Sequence, residues 1–285
     1  MTYQWFPGHM TKTIRQIEEQ IKLIDLIIEI VDARIPAASR NPELDRLAQG
    51  RARMLLFGKN DLADPEGNAA WLKFFEEQGL HPYACDLRKN GLLKSLTPQI
   101  REACREKIER DRRKGIMNRP IRAMVAGIPN VGKSTFINSF SGSSSLKTGN
   151  RPGVTKGKQW IRISKGVELL DTPGLLWPKF EDQNTGLMIA LIGSMPDDIL
   201  NREELSLSLI SLVRAKYPGF LKARYGLYEK GTDSELLSDI AEARGCLKKG
   251  GEADTEKAAA ILLDDFRSGR IGRMTLEMPP DAEDK

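Results

Sequence analysis

Gly127-Ile-Pro-Asn-Val-Gly-Lys-Ser134 has the spacing of a P-loop, two glycines bracketing four residues with a Lys-Ser pair behind the second. The glycines let backbone N–H groups crowd around phosphate oxygens with no Cβ in the way. Lys133 supplies a point charge to the β- and γ-phosphates, and the Ser134 hydroxyl is a ligand for Mg²⁺. Arg122–Ala126 reads as a short apolar strand entering the loop. Ser134–Phe140 reads as a helix leaving it, with its N-terminus facing the anion. Asn130, Val131, Gly132, Lys133, Ser134 and Thr135 are the expected phosphate contacts.

Two further segments follow. Leu169-Leu170-Asp171-Thr172-Pro173-Gly174 is an apolar strand ending in Asp-x-x-Gly. Asp171 is placed to hold a Mg²⁺-bound water and the Gly174 amide to sense the γ-phosphate. Taken alone, Asp-Thr-Pro-Gly is an ordinary turn sequence. Between it and the P-loop, Arg151-Pro-Gly-Val-Thr155 offers Thr155 as a switch residue closing over Mg²⁺, or else a flexible polar loop.

Upstream, the buried-type strand Arg53–Phe57 runs into Gly58-Lys59-Asn60-Asp61. Nucleotide sites that read guanine use Asn-Lys-x-Asp after such a strand. The Asp takes two hydrogen bonds from the base edge and the Lys stem covers the ring. A base lacking those donors leaves a buried carboxylate unpaired and is rejected. Gly58 stands where Asn is usual, which puts affinity in question more than selectivity and leaves an ATP-binding alternative open. Further on, Tyr83–Leu87 is placed to bring the Asp86 and Leu87 amides to the guanine carbonyl.

The motif order is thus guanine loop, P-loop, Thr switch, Asp-x-x-Gly. With Trp5-Phe-Pro-Gly-His-Met10, Val31-Asp-Ala-Arg-Ile-Pro36 and Asp171-Thr-Pro-Gly-Leu-Leu-Trp-Pro178, it resembles the circularly permuted GTPases, and among them the bacterial YlqF-like group. The resemblance covers essentially the whole chain. It implies an α/β fold: a circularly permuted Ras-like P-loop GTPase domain with a C-terminal all-helical domain. It also implies a cytoplasmic enzyme that binds GTP/GDP and Mg²⁺ and acts late in maturing the large ribosomal subunit precursor, with ribosome-stimulated turnover.

The expected divisions are an N-terminal arm at 1–13, the GTPase domain at 14–178, a connection at 179–200, a helical RNA-binding domain at 201–278 and a disordered tail at 279–285. In this order the helical domain hangs directly off the Asp171–Gly174 switch.

Ras-type enzymes orient the attacking water with a Gln just after Asp-x-x-Gly. Leu175 occupies that position and cannot orient water. Unassisted turnover should be slow, about 10⁻⁴ to 10⁻³ per second. An alternative is a nucleotide-gated binding module whose hydrolysis is incidental. The resemblance points to His9 as catalytic, beside Lys133 and Thr155; packing of Trp5, Phe6 and His9 as an arm is the other reading. It also suggests that Asn130 helps place a K⁺ ion.

The 285 residues carry a net charge of +5, with 40% hydrophobic and 29% charged residues. No apolar run approaches membrane-span length, and the N-terminus lacks a signal-peptide pattern. Three cysteines and two histidines make a zinc site improbable and suit a reducing compartment. A monomer is expected. Arg101–Lys114 interleaves basic and acidic residues and reads as the solvated face of a linking helix. In the second domain, helices are predicted over Leu205–Tyr217, over Ser234–Arg244 opening after Asp233, and over Thr255–Arg267 capped by Asp254. Lys248-Lys249 forms a basic turn. Arg267, Arg270 and Arg273 are spaced either to grip RNA phosphates or to solvate a helix end.

Overall fold

The computed structural model describes residues 17–88, 92–117, 119–141, 159–164, 166–171 and 182–280. At its centre lies a six-stranded sheet in the order β3-β2-β1-β4-β6-β5. Its strands are β1 (Leu26–Asp32), β2 (Ala52–Gly58), β3 (His81–Ala84), β4 (Ile121–Ala126), β5 (Gln159–Ser164) and β6 (Val167–Asp171). All neighbours are parallel except the antiparallel β5–β6 pair. Every residue of β1 is buried, as its near-continuous apolar sequence requires of a strand covered on both faces. Its exceptions are Asp32 at the strand's end and Glu29, which accepts from the Asn41 backbone N–H at 2.9 Å and pairs with Arg53 at 2.9 Å. Burial nonetheless pushes the Glu29 carboxyl above its ordinary range, against the pull of Arg40 and Arg53.

From β1 the chain steps outward to β2 and β3, then returns to the opposite side of β1 for β4. The reversal creates a switch point between β1 and β4, where loops at the strands' carboxyl ends diverge around a crevice. The P-loop leaves β4 at that point. The 58–61 loop leaves β2 on the far flank of β1.

The predicted linking helix is two helices, Leu92–Ala103 and Arg105–Arg113. They part at buried Cys104, whose backbone (φ −102°, ψ 13°) leaves helical geometry. The C-terminal region is helical over Gln183–Leu191, Arg202–Lys216, Phe220–Tyr225, Asp233–Ala243 and Thr255–Arg267. Asp254 caps the last of these as expected. The Asp233 helix instead opens at Thr232, because Glu235 answers the threonine in a reciprocal capping box. Leu209, Ile210, Val213, Leu236, Ile240, Leu262 and Phe266 fill the space between these helices.

Two segments depart from the expected divisions. The 179–200 stretch holds the Gln183–Leu191 helix, whose Met188–Leu191 turn is buried. Residues 268–280 leave the helical bundle and run back along the GTPase domain. There Met274 N–H donates to Leu62 O (3.0 Å), Leu276 N–H to Arg34 O (2.8 Å), and Trp71 Nε1 to Glu277 O (2.9 Å). Pro279, expected in the tail, is buried, while 281–285 lie outside the described residues. Among the described residues no helix is long and apolar enough to cross a membrane.

Candidate functional site

The crevice at the carboxyl ends of β4, β1 and β2 gathers most of the predicted residues. Gly127 has φ 149°, and a Cβ there would lie 2.5 Å from the Ile30 carbonyl oxygen, so the loop accepts only glycine at this point. Asn130 also takes a positive φ, 61°. Lys133 is buried, and its Nζ donates to the carbonyls of Gly127 (3.1 Å) and Ile128 (2.8 Å). The loop thus holds the ammonium against its own backbone. Ser134 and Thr135, half-buried, sit in the first turn of the Lys133–Ser141 helix, behind fully buried Val131. Strand register pairs Asp171 with Val125, so β6 ends beside the start of the P-loop. His9, Thr155 and Gly174 lie outside the described residues.

On the other flank, register pairs Gly58 with Asp32. A Cβ on Gly58 would stand 3.0 Å from the Val131 carbonyl oxygen and 3.0 Å from the Leu87 Cδ1. That leucine methyl would lie 3.2 Å from a Cβ on Gly132. Leu87 is therefore a peg between the two loops, and glycine at 58 lets their backbones meet.

Lys59, at φ 54°, directs its Nζ to within 3.1 Å of the Asp32 carboxylate. Asp61 accepts from Arg88 Nη2 at 2.7 Å, and Arg88 also holds Asp86 through Nε at 3.1 Å. Asn60 Oδ1 is buried with no hydrogen-bond partner among the described residues. An orphaned acceptor of this kind costs about 1–3 kcal/mol until a donor reaches it.

Asp32 and Arg34, which stood out in the sequence only as members of a motif, are the most buried ion pair of the site, at 0% and 1% exposure. Arg34 grips both carboxylate oxygens, Nε to Oδ1 at 2.9 Å and Nη2 to Oδ2 at 2.8 Å. Burial works against the charged carboxylate, but Arg34, Lys59 and the hydrogen bonds outweigh it and hold Asp32 far below the ordinary aspartate range. Lys59 is pulled down, chiefly by burial and also by repulsion from Arg34, against the opposing pull of Asp32.

The helical region reaches both loops. Asn130 Nδ2 donates to Gly193 O at 2.7 Å, and Ser194 Oγ to Pro129 O at 2.6 Å. Arg267 pairs with Asp197 and donates to the carbonyls of Leu191 and Ala190. Arg270 is tied to Asp264 and Asp265, and Arg273 donates to Ala63 O and Asn60 O. The helix stops at Arg267, so the three arginines share no face. They bind the chain to itself, Arg267 half-buried and Arg270 and Arg273 exposed, so they form neither a single row for phosphates nor a simply solvated helix end. Lys248 and Lys249 remain exposed.

The 50S ribosome-binding GTPase family model matches residues 122–216. That match begins at β4, so the 58–61 loop precedes it, as a permuted order requires. Ribosome biogenesis GTPase A of Priestia megaterium is 45% identical over 99% of both chains. The same-named protein of Bacillus cereus is 43% identical over 99% of this chain and 95% of its own. That of Thermotoga maritima is 30% identical over 97% and 95%. Among solved structures, a GDP-bound YlqF superposes with a TM-score of 0.67 at 27% identity, covering 93% of this chain and 99% of its own. The GNP-bound YlqF from Thermotoga maritima gives the same score over 94% and 99%.

Proposed function

Since this chain belongs to the ribosome biogenesis GTPase A family, we propose that it spends GTP hydrolysis on the late maturation of the large ribosomal subunit precursor, with turnover stimulated by that particle. The observation that carries the reading is the contact of two sequence-distant loops: Gly58 against Val131, with Leu87 wedged beside Gly132. The base lies over Lys59 and is read by Asp61, with Asn60, Asp86 and Leu87 around its edge. Asn130–Thr135 and Gly174 take the phosphates. The protein is cytoplasmic and monomeric and, in this reading, its helical domain meets rRNA through the exposed Lys248-Lys249 turn.

Hydroxyl and carboxylate oxygens are the hard donors that Mg²⁺ prefers. The β4–β6 register brings the Asp171 end of its strand beside the loop that carries Ser134. Ser134 and Asp171 therefore fit as its holders, and Thr155 is proposed as the third. The ion, when bound, neutralises charge developing on the β- and γ-phosphate oxygens. Lys133 adds a fixed positive charge. His9, in place of the glutamine that Leu175 displaces, orients the attacking water. Asn130 is the residue that would place a K⁺ ion; its amide nitrogen is engaged by Gly193, so the ion would meet the amide oxygen.

Co-sedimentation with large-subunit particles in GDP and in a non-hydrolysable GTP analogue tests the proposal. Tighter association in the analogue, with turnover rising when particles are added, is the expected result. Equal association in both nucleotides and flat turnover would remove it. Exchanging K⁺ for Na⁺ without effect on turnover would remove the cation role alone.

A further inference from the structure

The start of β4 at Ile121 and the turn into β6 at Gly166, at the sheet end opposite the P-loop, border an open cavity of about 620 Å³. It is lined by Arg101, Lys107, Arg112 and Arg119, with Asp111 as its lone acidic wall residue and with Ile116 and Met117 on the rim. The charges are not mutually cancelled. Lys107 is satisfied by Asp25 (3.4 Å) and Asp111 (2.9 Å), and Arg119 stands 3.8 Å from Asp25. Arg101 and Arg112 are exposed and have no ion-pair partner among the described residues. Four cations against Asp25 and Asp111 leave the cleft at +2. Exposed Arg110, Arg113 and Lys114 follow along the end of the Arg105–Arg113 helix, Arg113 being paired with Glu109 at 4.0 Å.

The rim differs from an ordinary charged helix end. Ile116 and Met117 are 41% and 69% exposed, adjacent large apolar side chains left in solvent directly after Gly115, which takes φ 74° to end the helix. Arginines above an apolar shelf, around an open cavity of this volume, match the demands of unpaired nucleic acid. Guanidinium groups meet phosphates, and an apolar surface meets the face of a base. A duplex would use the arginines and leave the shelf idle. A small-molecule site would be more enclosed and mostly apolar.

We propose that this cleft is a second binding site, for a single-stranded RNA segment, with Arg101, Arg112 and Arg119 on its phosphates and Ile116 and Met117 against a base. It deepens the reading of an rRNA-containing partner and rests on that reading for its biological source. It lies at the other end of the six-residue β4 from the P-loop, about 20 Å away at strand rise, so both sites can be filled at once.

The test uses the full chain with a fluorescent single-stranded RNA of mixed sequence, titrated by anisotropy across a salt series. In Arg101→Glu/Arg112→Glu the affinity at low salt should fall at least tenfold. The slope of log K against log salt should shrink by about 1.4, the share of two phosphate contacts on a single strand. Met117→Asp should weaken binding with the slope unchanged. GDP affinity and unstimulated GTP turnover should stay at wild-type values in both, which shows that the variants fold. Wild-type binding that the arginine variant leaves intact would overturn this site but not the particle reading. No RNA binding by the wild type under any salt would overturn the cleft proposal, while co-sedimentation with the particle decides the particle reading separately. Poly-glutamate bound as tightly as RNA, and lost in the same variant, would assign the cleft to an acidic protein and overturn the RNA proposal.

Discussion

The Arg34 guanidinium lies 5.0 Å from the centre of the Phe266 ring and donates to the Phe266 and Arg267 carbonyls at 3.3 Å each. One side chain thereby closes the last helix of the C-terminal region and clamps Asp32 at the end of β1. Lys59 touches the same carboxylate, so the 58–61 loop and the helical bundle share a single buried anion. The permuted order thus attaches the helical bundle twice: covalently after Asp171, and by this folded-back contact at the opposite loop.

Arg34→Met should cost about 3–5 kcal/mol of unfolding free energy, because it strands a fully buried carboxylate with Lys59 as its remaining cation. Urea denaturation measures it. The wild-type contribution has a defined pH window. Asp32 titrates well below its ordinary 3.8 in the folded state, so the stabilisation is present above that value and is lost as pH falls beneath it. The Arg34→Met stability gap should therefore narrow in acid.

Gly58→Ala inserts a methyl into the 3.0 Å contacts with Val131 O and Leu87 Cδ1. Overpacking of this kind costs about 1–3 kcal/mol. It should lower GDP affinity by roughly tenfold or more through displacement of one loop. Gly58→Ala/Leu87→Ala should recover some of the loss, a coupling that a double-mutant cycle reads directly.

Arg88 engages the Asp61 carboxylate from an exposed position, 64% accessible. With Asp61 as the proposed reader of the base, binding competes with that pair, which as a surface ion pair is worth about 0–1 kcal/mol. Arg88→Ala should leave guanine nucleotide affinity unchanged or tighten it up to about fivefold. A large loss of affinity would instead make Arg88 a ligand of the nucleotide.

Glu277 sits on the returning segment and accepts from the Ala38 amide at 3.0 Å and from that of Ala37. Burial raises its carboxyl to about 7 despite those bonds. The protonated form favours the fold. Its stabilisation is full below the unfolded value of 4.5 and is lost as pH rises through 7. Glu277→Gln should flatten the stability profile across that window and raise stability at pH 8, by about 3 kcal/mol at most. Thermal melts from pH 5 to pH 8 measure it.

Three strands and both loops were legible because each carries a local signal: apolar runs for β2, β4 and β6, and glycines at 127 and 132 where the backbone takes positive φ. Asp254 was likewise readable as a cap, while Thr232 was missed because its strength comes from Glu235 three residues on. The role of Gly58 was not legible. A glycine's purpose there depends on Val131 and Leu87, neither of them near it in sequence. The sequence left the roles of Arg267, Arg270 and Arg273 open for the same reason. Free cations and cations bound to distant carbonyls and carboxylates have the same local sequence. The Arg34–Phe266 clamp spans 232 positions and no periodicity could announce it.

The account stands on one pocket built from two loops in exchanged order, with Asp61 as the reader of the base. Calorimetry of GDP and of xanthosine diphosphate against wild type and Asp61→Asn, in magnesium buffer, tests that most directly. Wild type should prefer GDP by at least about a hundredfold, and Asp61→Asn should reverse the preference. Uptake of neither nucleotide by wild type, or unaltered GDP affinity in Asp61→Asn, would contradict it.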